Sequence, residues 1–127
     1  MISQAVIINE NKILMVKQYV QRGDIVWNFP GGNIEEYETP FETCIREVKE
    51  ETGYDVAIKE LLYTNKKKYI FLGEIIGGEL YIDKNNEANN DIIDAAWIPL
   101  DEDDKFDNYT APVLEKVIEK FFRGKES

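Results

Sequence analysis

The chain has 127 residues, a formal net charge of −10 and no histidine; that length predicts one domain spanning 1–127 with a real core, and the acidity disfavours a long nucleic-acid partner. With 43% hydrophobic and 12% aromatic residues it should fold rather than stay disordered. The missing histidine excludes histidine-ligated zinc and any Ser-His or Cys-His dyad, and the single cysteine, Cys44, excludes an intramolecular disulfide framework.

The N-terminus MISQAVIINENK lacks a basic start and a long apolar core, and no apolar run is long enough to span a membrane, so no membrane partner and a cytoplasmic location are expected. Gln4–Asn9 and Lys12–Tyr19 read as strands around turn residues 9–11. Trp27–Phe29 is a short extended piece, and Pro30-Gly31-Gly32 reads as a loop. A helix is predicted over about Pro40–Thr52. Tyr54–Tyr63 and Lys68–Ile76 read as strands, Gly77-Gly78 as a hairpin turn, and Glu79–Ile82 as a strand pairing back. A polar loop over Lys84–Asp91 leads to a strand at Ala95–Ile98, an acidic loop at Asp101–Asp107, and a last helix from about Pro112 to Phe122. In that helix Val113, Leu114, Val117, Ile118 and Phe121 recur at helical spacing, so one face should pack on a sheet. The order predicts a mixed α+β fold with a sheet between helices.

Residues 31–54, GGNIEEYETPFETCIREVKEETGY, hold seven glutamates: 35, 36, 38, 42, 47, 50 and 51. Thr39, Pro40 and Glu42 form a helix start, with a capping threonine, a proline at the first position and a capping box. Gly53 closes the helix. Phe41, Cys44, Ile45 and Val48 share one stripe and should be buried, which makes Cys44 a small core residue. Glu47, Glu50 and Glu51 form a second stripe. They repel one another and sit in the last turn, where the helix dipole disfavours negative charge. A cation among their oxygens would remove both costs; a solvated acidic face fits the same spacing.

Gly32, Glu38 and the run Arg46-Glu47-Val48-Lys49-Glu50-Glu51-Thr52-Gly53-Tyr54 resemble the signature of the Nudix hydrolases, G-x5-E-x7-R-E-U-x-E-E-x-G-U with U a bulky apolar residue. Tyr54 is aromatic where an aliphatic is usual. Trp27–Gly32 and Ala95–Leu100 resemble flanking family segments. The resemblance implies an α/β/α sandwich whose mixed sheet is flanked by the signature helix and the C-terminal helix. It implies metal-dependent hydrolysis of a nucleoside diphosphate linked to another moiety, with magnesium or manganese held by Glu47, Glu50, Glu51 and the Gly31 carbonyl. Gly32, Glu38, Arg46 and Gly53 would then be structural, with Arg46 pairing a carboxylate to hold the loop on the helix.

A further carboxylate from outside the signature is expected between 85 and 94: Asp91 first, then Glu87, with Asp94 the other acid there. Phosphate-contact candidates are Lys17, Arg22 and the run Lys66–Lys68, the last also readable as edge protection. Tyr69 lies where family dinucleoside polyphosphate hydrolases carry a tyrosine, and it fits equally as a strand residue. Asn108 and Thr110 could read a base or cap the last helix. The favoured activity is a MutT-like nucleoside triphosphate pyrophosphohydrolase; dinucleoside polyphosphates or nucleotide sugars are the alternative substrates. A non-catalytic nucleotide sensor is the alternative of another class, disfavoured because all three helix glutamates are present. A homodimer is compatible with the sequence.

Overall fold

A computed structural model describes residues 1–20 and 23–121. Strands β1 (Ile2–Val6), β2 (Ile8–Asn9), β3 (Lys12–Tyr19), β4 (Ile25–Asn28) and β5 (Gly31–Asn33) precede helix α1 (Pro40–Thr52); β6 (Tyr54–Thr64), β7 (Lys68–Gly78), β8 (Ile92–Pro99) and helix α2 (Ala111–Phe121) follow. One sheet runs β5-β1-β7-β6, with β1 and β7 parallel and the other pairs antiparallel. The second is antiparallel, with β3 between β4 and β8 and β2 paired to its start. Between β1 and β2 the chain passes to the second sheet at Ile7, whose carbonyl accepts from Leu14 N–H at 3.0 Å. The β2–β3 turn uses Glu10 and Asn11 with φ of 51° and 62°, the left-handed pair a tight hairpin requires.

Strand alternation sends the core to two sides. Ala5, Ile7, Leu14, Val56 and Phe71 pack with Cys44 and Val48 of α1. Val6, Ile13, Met15, Ile70 and Ile98 pack with Val113, Leu114 and Val117 of α2. This is the expected helix–sheet–helix layering, and α1 thereby lies directly over β1 and β5.

Helix α1 has the expected bounds and caps. Thr39 accepts from Glu42 N, Glu42 accepts from Thr39 N, and Gly53 closes the end at φ 85°. Its apolar stripe is only half covered: Cys44 and Val48 are fully buried, while Phe41 and Ile45 are 52% and 40% exposed. Phe41 lies in the first turn, with its ring centre 4.9 Å from that of Phe71.

Several expectations need correction. Pro30-Gly31-Gly32 is not all loop: Gly31 and Gly32 open β5 and pair with Gln4 and Ser3. Gly77-Gly78 is not a hairpin turn; β7 runs through both, opposite Asp55 and Tyr54. A side chain at Gly78 would collide with the Gly53 carbonyl, so the residue permits close packing of strand on helix end. Glu79–Ile82 is consequently no strand, and Tyr81 N–H instead donates to Thr52 O at 2.8 Å. The expected end of the last helix, Phe122, lies outside the described residues.

Candidate active site

The acids of the 35–51 segment divide by their partners. Glu38 receives Arg46 through two parallel bonds, Nε to Oε2 at 2.6 Å and Nη2 to Oε1 at 2.9 Å. Thr43 Oγ1 and Glu35 N–H also donate to Glu38 Oε1. The Arg46 hydrogen bonds, aided by those two donors, hold Glu38 down at about 2. Arg46 Nη2 also reaches Asn33 O at 3.4 Å, so it ties β5 and the following loop to α1.

Arg46 Nη1 is shared between Glu47 Oε1 at 2.8 Å and Glu50 Oε2 at 3.3 Å. Burial raises Glu47 above its ordinary value in spite of this partner, and the charge on Glu50 adds to the rise. Glu51 is 6% exposed. Burial pushes it up to about 8, against the pull of the Gly31 N–H that donates to Oε1 at 2.9 Å. Neighbouring Glu47 and Glu50 charges contribute to the rise.

Gly32 leaves room for the Glu47 carboxylate, and Gly31 leaves room for the neighbouring strand β1. A Cβ at Gly32 would lie 2.5 Å from Glu47 Cδ, and one at Gly31 would strike the Ser3 carbonyl. The glycines are therefore needed for close approach.

Gly31, Gly32, Glu47, Glu51 and Asp91 line one cleft of about 320 Å³, walled also by Gln4, Gln18, Tyr19 and Asn28. Asp91 is held there by Tyr19 N–H donating to its carbonyl at 3.0 Å. The loop before it is anchored by Asn89, 3% exposed, whose Nδ2 donates to Glu50 O at 2.7 Å and Asp83 O at 3.1 Å. That bond gives a carbonyl of the helix's last turn the partner a helix end leaves missing. Glu50 borders an adjoining hollow with Lys49, Glu79 and Asp83.

The donor set suits a hard divalent cation: it is all oxygen, and two of its acids carry an unfavourable burial that positive charge would offset. Among the described residues no three acids are already drawn together around one point; Arg46 and Gly31 N–H hold them in their present positions.

Other sequence candidates lie elsewhere. Lys17 is on the α2 side, its ammonium 6.0 Å from the Trp27 ring centre. Tyr69 stacks on Phe71, centroids 6.1 Å apart. Asn108 lines a separate 280 Å³ cavity with Tyr63, Lys68, Tyr109 and Lys116. Thr110 is 1% exposed and caps α2 through a reciprocal pair with Asp107. Glu87 starts a 3-10 turn, and Asp94 pairs across from Lys17 on β8. Lys66 and Lys67 are exposed in the β6–β7 turn, while Lys68 lines a 200 Å³ groove. Arg22 lies outside the described residues. Sequence reasoning did not single out Gln4, Gln18 or Asn28. The available signal was Ser3-Gln4, two polar residues inside an otherwise apolar strand that the structure buries.

The Nudix domain model matches residues 2–121. The chain belongs to the Nudix hydrolase family. An ADP-ribose pyrophosphatase of Methanocaldococcus jannaschii is 32% identical over 132 residues, covering 94% of this chain and 71% of that protein. A Bacillus subtilis (strain 168) protein named provisionally as an 8-oxo-dGTP diphosphatase is 29% identical over 102 residues, 75% of this chain and 66% of its own. Across these and other curated relatives, the chain spans 23% to 71% of their length. The solved structure of a Nudix hydrolase from Nitrosomonas europaea superposes with a TM-score of 0.76 at 25% identity, covering 94% of this chain and 88% of that one. No helix among the described residues is long and apolar enough to cross a membrane.

Proposed function

We propose that this Nudix chain hydrolyses a pyrophosphate bond in a nucleoside diphosphate linked to another moiety, with a nucleoside triphosphate as first substrate and nucleoside monophosphate and pyrophosphate as products. The observation that carries this reading is the gathering of Glu47, Glu51, Gly31, Gly32 and Asp91 around one cleft. Glu47, Glu50, Glu51 and the Gly31 carbonyl would hold magnesium or manganese, which when bound would supply Lewis-acid polarisation and offset phosphate charge. Asp91 accepts the proton of the attacking water as its oxygen bonds to phosphorus and the bridging P–O bond breaks. Arg46 keeps the loop seated on α1, and Glu38 keeps Arg46 in register by its two bonds. On this reading the work is done in the cytoplasm on free nucleotides. A homodimer remains part of the proposal, to be read from sedimentation.

A second reading, ADP-ribose or a similar nucleotide sugar, is favoured by the relative of that name aligning with 94% of the chain. The experiment is a hydrolysis screen with magnesium over ordinary and oxidised nucleoside triphosphates, dinucleoside polyphosphates and nucleotide sugars, with products identified. Turnover of no phosphoric anhydride would refute both readings. Magnesium should also raise the melting temperature, because a ligand that binds only the folded state stabilises it. An equal shift in a Glu50→Gln/Glu51→Gln double variant would refute the metal assignment.

A further inference from the structure

The cleft wall beside Glu51 holds two side-chain amides in one fixed arrangement. Gln4, 7% exposed, sits opposite Gly31 in the β1–β5 register, and the Gly31 N–H is the one that holds Glu51. Gln4 Nε2 donates to Asn28 Oδ1 at 3.2 Å and to Phe29 O at 3.4 Å. Asn28 Oδ1 also accepts from Phe29 N–H at 2.9 Å. The backbone decides which amide atom is which: an N–H demands oxygen from Asn28, and a carbonyl demands nitrogen from Gln4.

Two groups are left over. Gln4 Oε1 and Asn28 Nδ2 have no partner among the described residues, and neither belongs to the sealed, unpartnered atoms, of which Asn89 Oδ1 is the one described. Both residues line the carboxylate cleft, and both also line the groove that continues from it toward Lys68, Asp107 and Tyr109. The wall therefore offers one acceptor and one donor, between the carboxylate cleft and that groove.

A phosphate oxygen does not match this pair, because it has no hydrogen for Gln4 Oε1 and would meet it lone pair to lone pair. A hydroxyl both donates and accepts. In a nucleotide the hydroxyl-bearing group next to the phosphates is the sugar. We propose that Gln4 and Asn28 form a ribose subsite, in which sugar hydroxyls donate to Gln4 Oε1 and accept from Asn28 Nδ2, so that ribonucleotide derivatives are preferred over those lacking a hydroxyl. This rests on the pyrophosphohydrolase reading and narrows its substrate class.

The test compares the best triphosphate from the screen with its 2′-deoxy and 3′-deoxy forms. Turnover is measured with magnesium, and binding is measured calorimetrically with the uncleavable α,β-methylene triphosphates. The ribose form should win over at least one deoxy form by about tenfold or more in both kcat/KM and Kd, since a site built to bond a hydroxyl rejects the analogue without it. Gln4→Met removes the acceptor at similar size. Asn28→Asp removes the donor and keeps the oxygen that Phe29 N–H and Gln4 Nε2 need, so its fold is retained. Each should bring the ratio within about twofold. A wild-type ratio already within about twofold, or a full ratio surviving in either variant, would overturn the subsite. Binding preference without turnover would leave the subsite standing and overturn the hydrolase reading; no nucleotide binding at all would overturn both.

Discussion

At the start of α1, Glu38 takes four donor bonds and Glu42 completes a capping box; at its end, Glu47, Glu50 and Glu51 divide two donor groups among three carboxylates. Glu42 closes a capping box with Thr39, and Glu38 takes Arg46, Thr43 and Glu35 N–H. Three carboxylates at the other end share one guanidinium nitrogen and one backbone N–H. The first pair also stands at the positive end of the helix dipole and the trio near the negative end. Folding explains the first pair and opposes the second set. Acids that folding opposes, gathered beside side-chain-free backbone, are where the proposed function puts the chemistry.

The largest expected effect tests that division directly. Glu50→Gln and Glu51→Gln should each lower kcat by at least about a hundredfold, equivalent to roughly 2.7 kcal/mol of barrier, because a cation held against the reacting phosphate is misplaced as charge develops. Melting temperatures without metal should not fall, since repulsion and burial of charge are both relieved. Steady-state kinetics at saturating magnesium, with melting curves alongside, measure both. Wild-type turnover in the two variants would dissolve the distinction between the helix ends.

A smaller effect sharpens it through pH. Glu51 is raised from 4.5 to about 8 in the folded protein. Between those values the folded state holds a proton that the unfolded chain has released, so stability without metal falls as pH rises through this window and levels off above it. Glu47 contributes in the same direction. Glu38 has the opposite sign: lowered to about 2, it contributes stability above the unfolded value that is lost as pH falls toward 2. The metal-free melting temperature should therefore decline between about pH 5 and pH 8, and Glu51→Gln should flatten most of that decline. Saturating magnesium should flatten it too. A level metal-free profile in the wild type would show that Glu51 is not buried as described.

The two regions were also unequally legible in the sequence. Helix α1, its caps and its acidic stripe follow from local rules, because capping, periodicity and the C-terminal glycine all act within a few residues. What placed the stripe beside Gly31-Gly32 was tertiary. Glycine pairs read as turns, yet Gly31-Gly32 opens a strand and Gly78 lets β7 pass close to Gly53. The requirement there is space for a neighbour rather than a bend, and no neighbour is visible in a one-dimensional pattern. The same limit hid Gln4 and Asn28, whose pairing across 24 positions depends on how β4 and β5 return past β1. Asp91, which lines the cleft, was reachable because the polar stretch just ahead of β8 offers few acids, although Asn89, which anchors it, gave no signal beyond being polar.

The smallest effects belong to the capping end, and they close the comparison. Thr39 Oγ1 accepts from Glu42 N–H at 3.1 Å, and the helix-start amides have no intrahelical partner to replace it. Thr39→Ala should therefore lose about 1 kcal/mol of stability, which lowers the melting temperature by roughly 3–6 °C in a domain of this size. Glu42→Gln keeps size and can still accept from Thr39 N–H through its amide oxygen, so its stability loss should be smaller still. Both sites lie outside the residues that line the carboxylate cleft. Their kcat values should accordingly stay within about threefold of wild type once assayed below their melting transitions, because the fold of the last helical turns is set by Gly53, Asn89 and the core contacts of Cys44 and Val48. The measurement is the same pairing of kinetics with melting curves. A hundredfold loss of kcat in Glu42→Gln with an unchanged melting temperature would mean that the acids of α1 do not divide into a structural end and a chemical end.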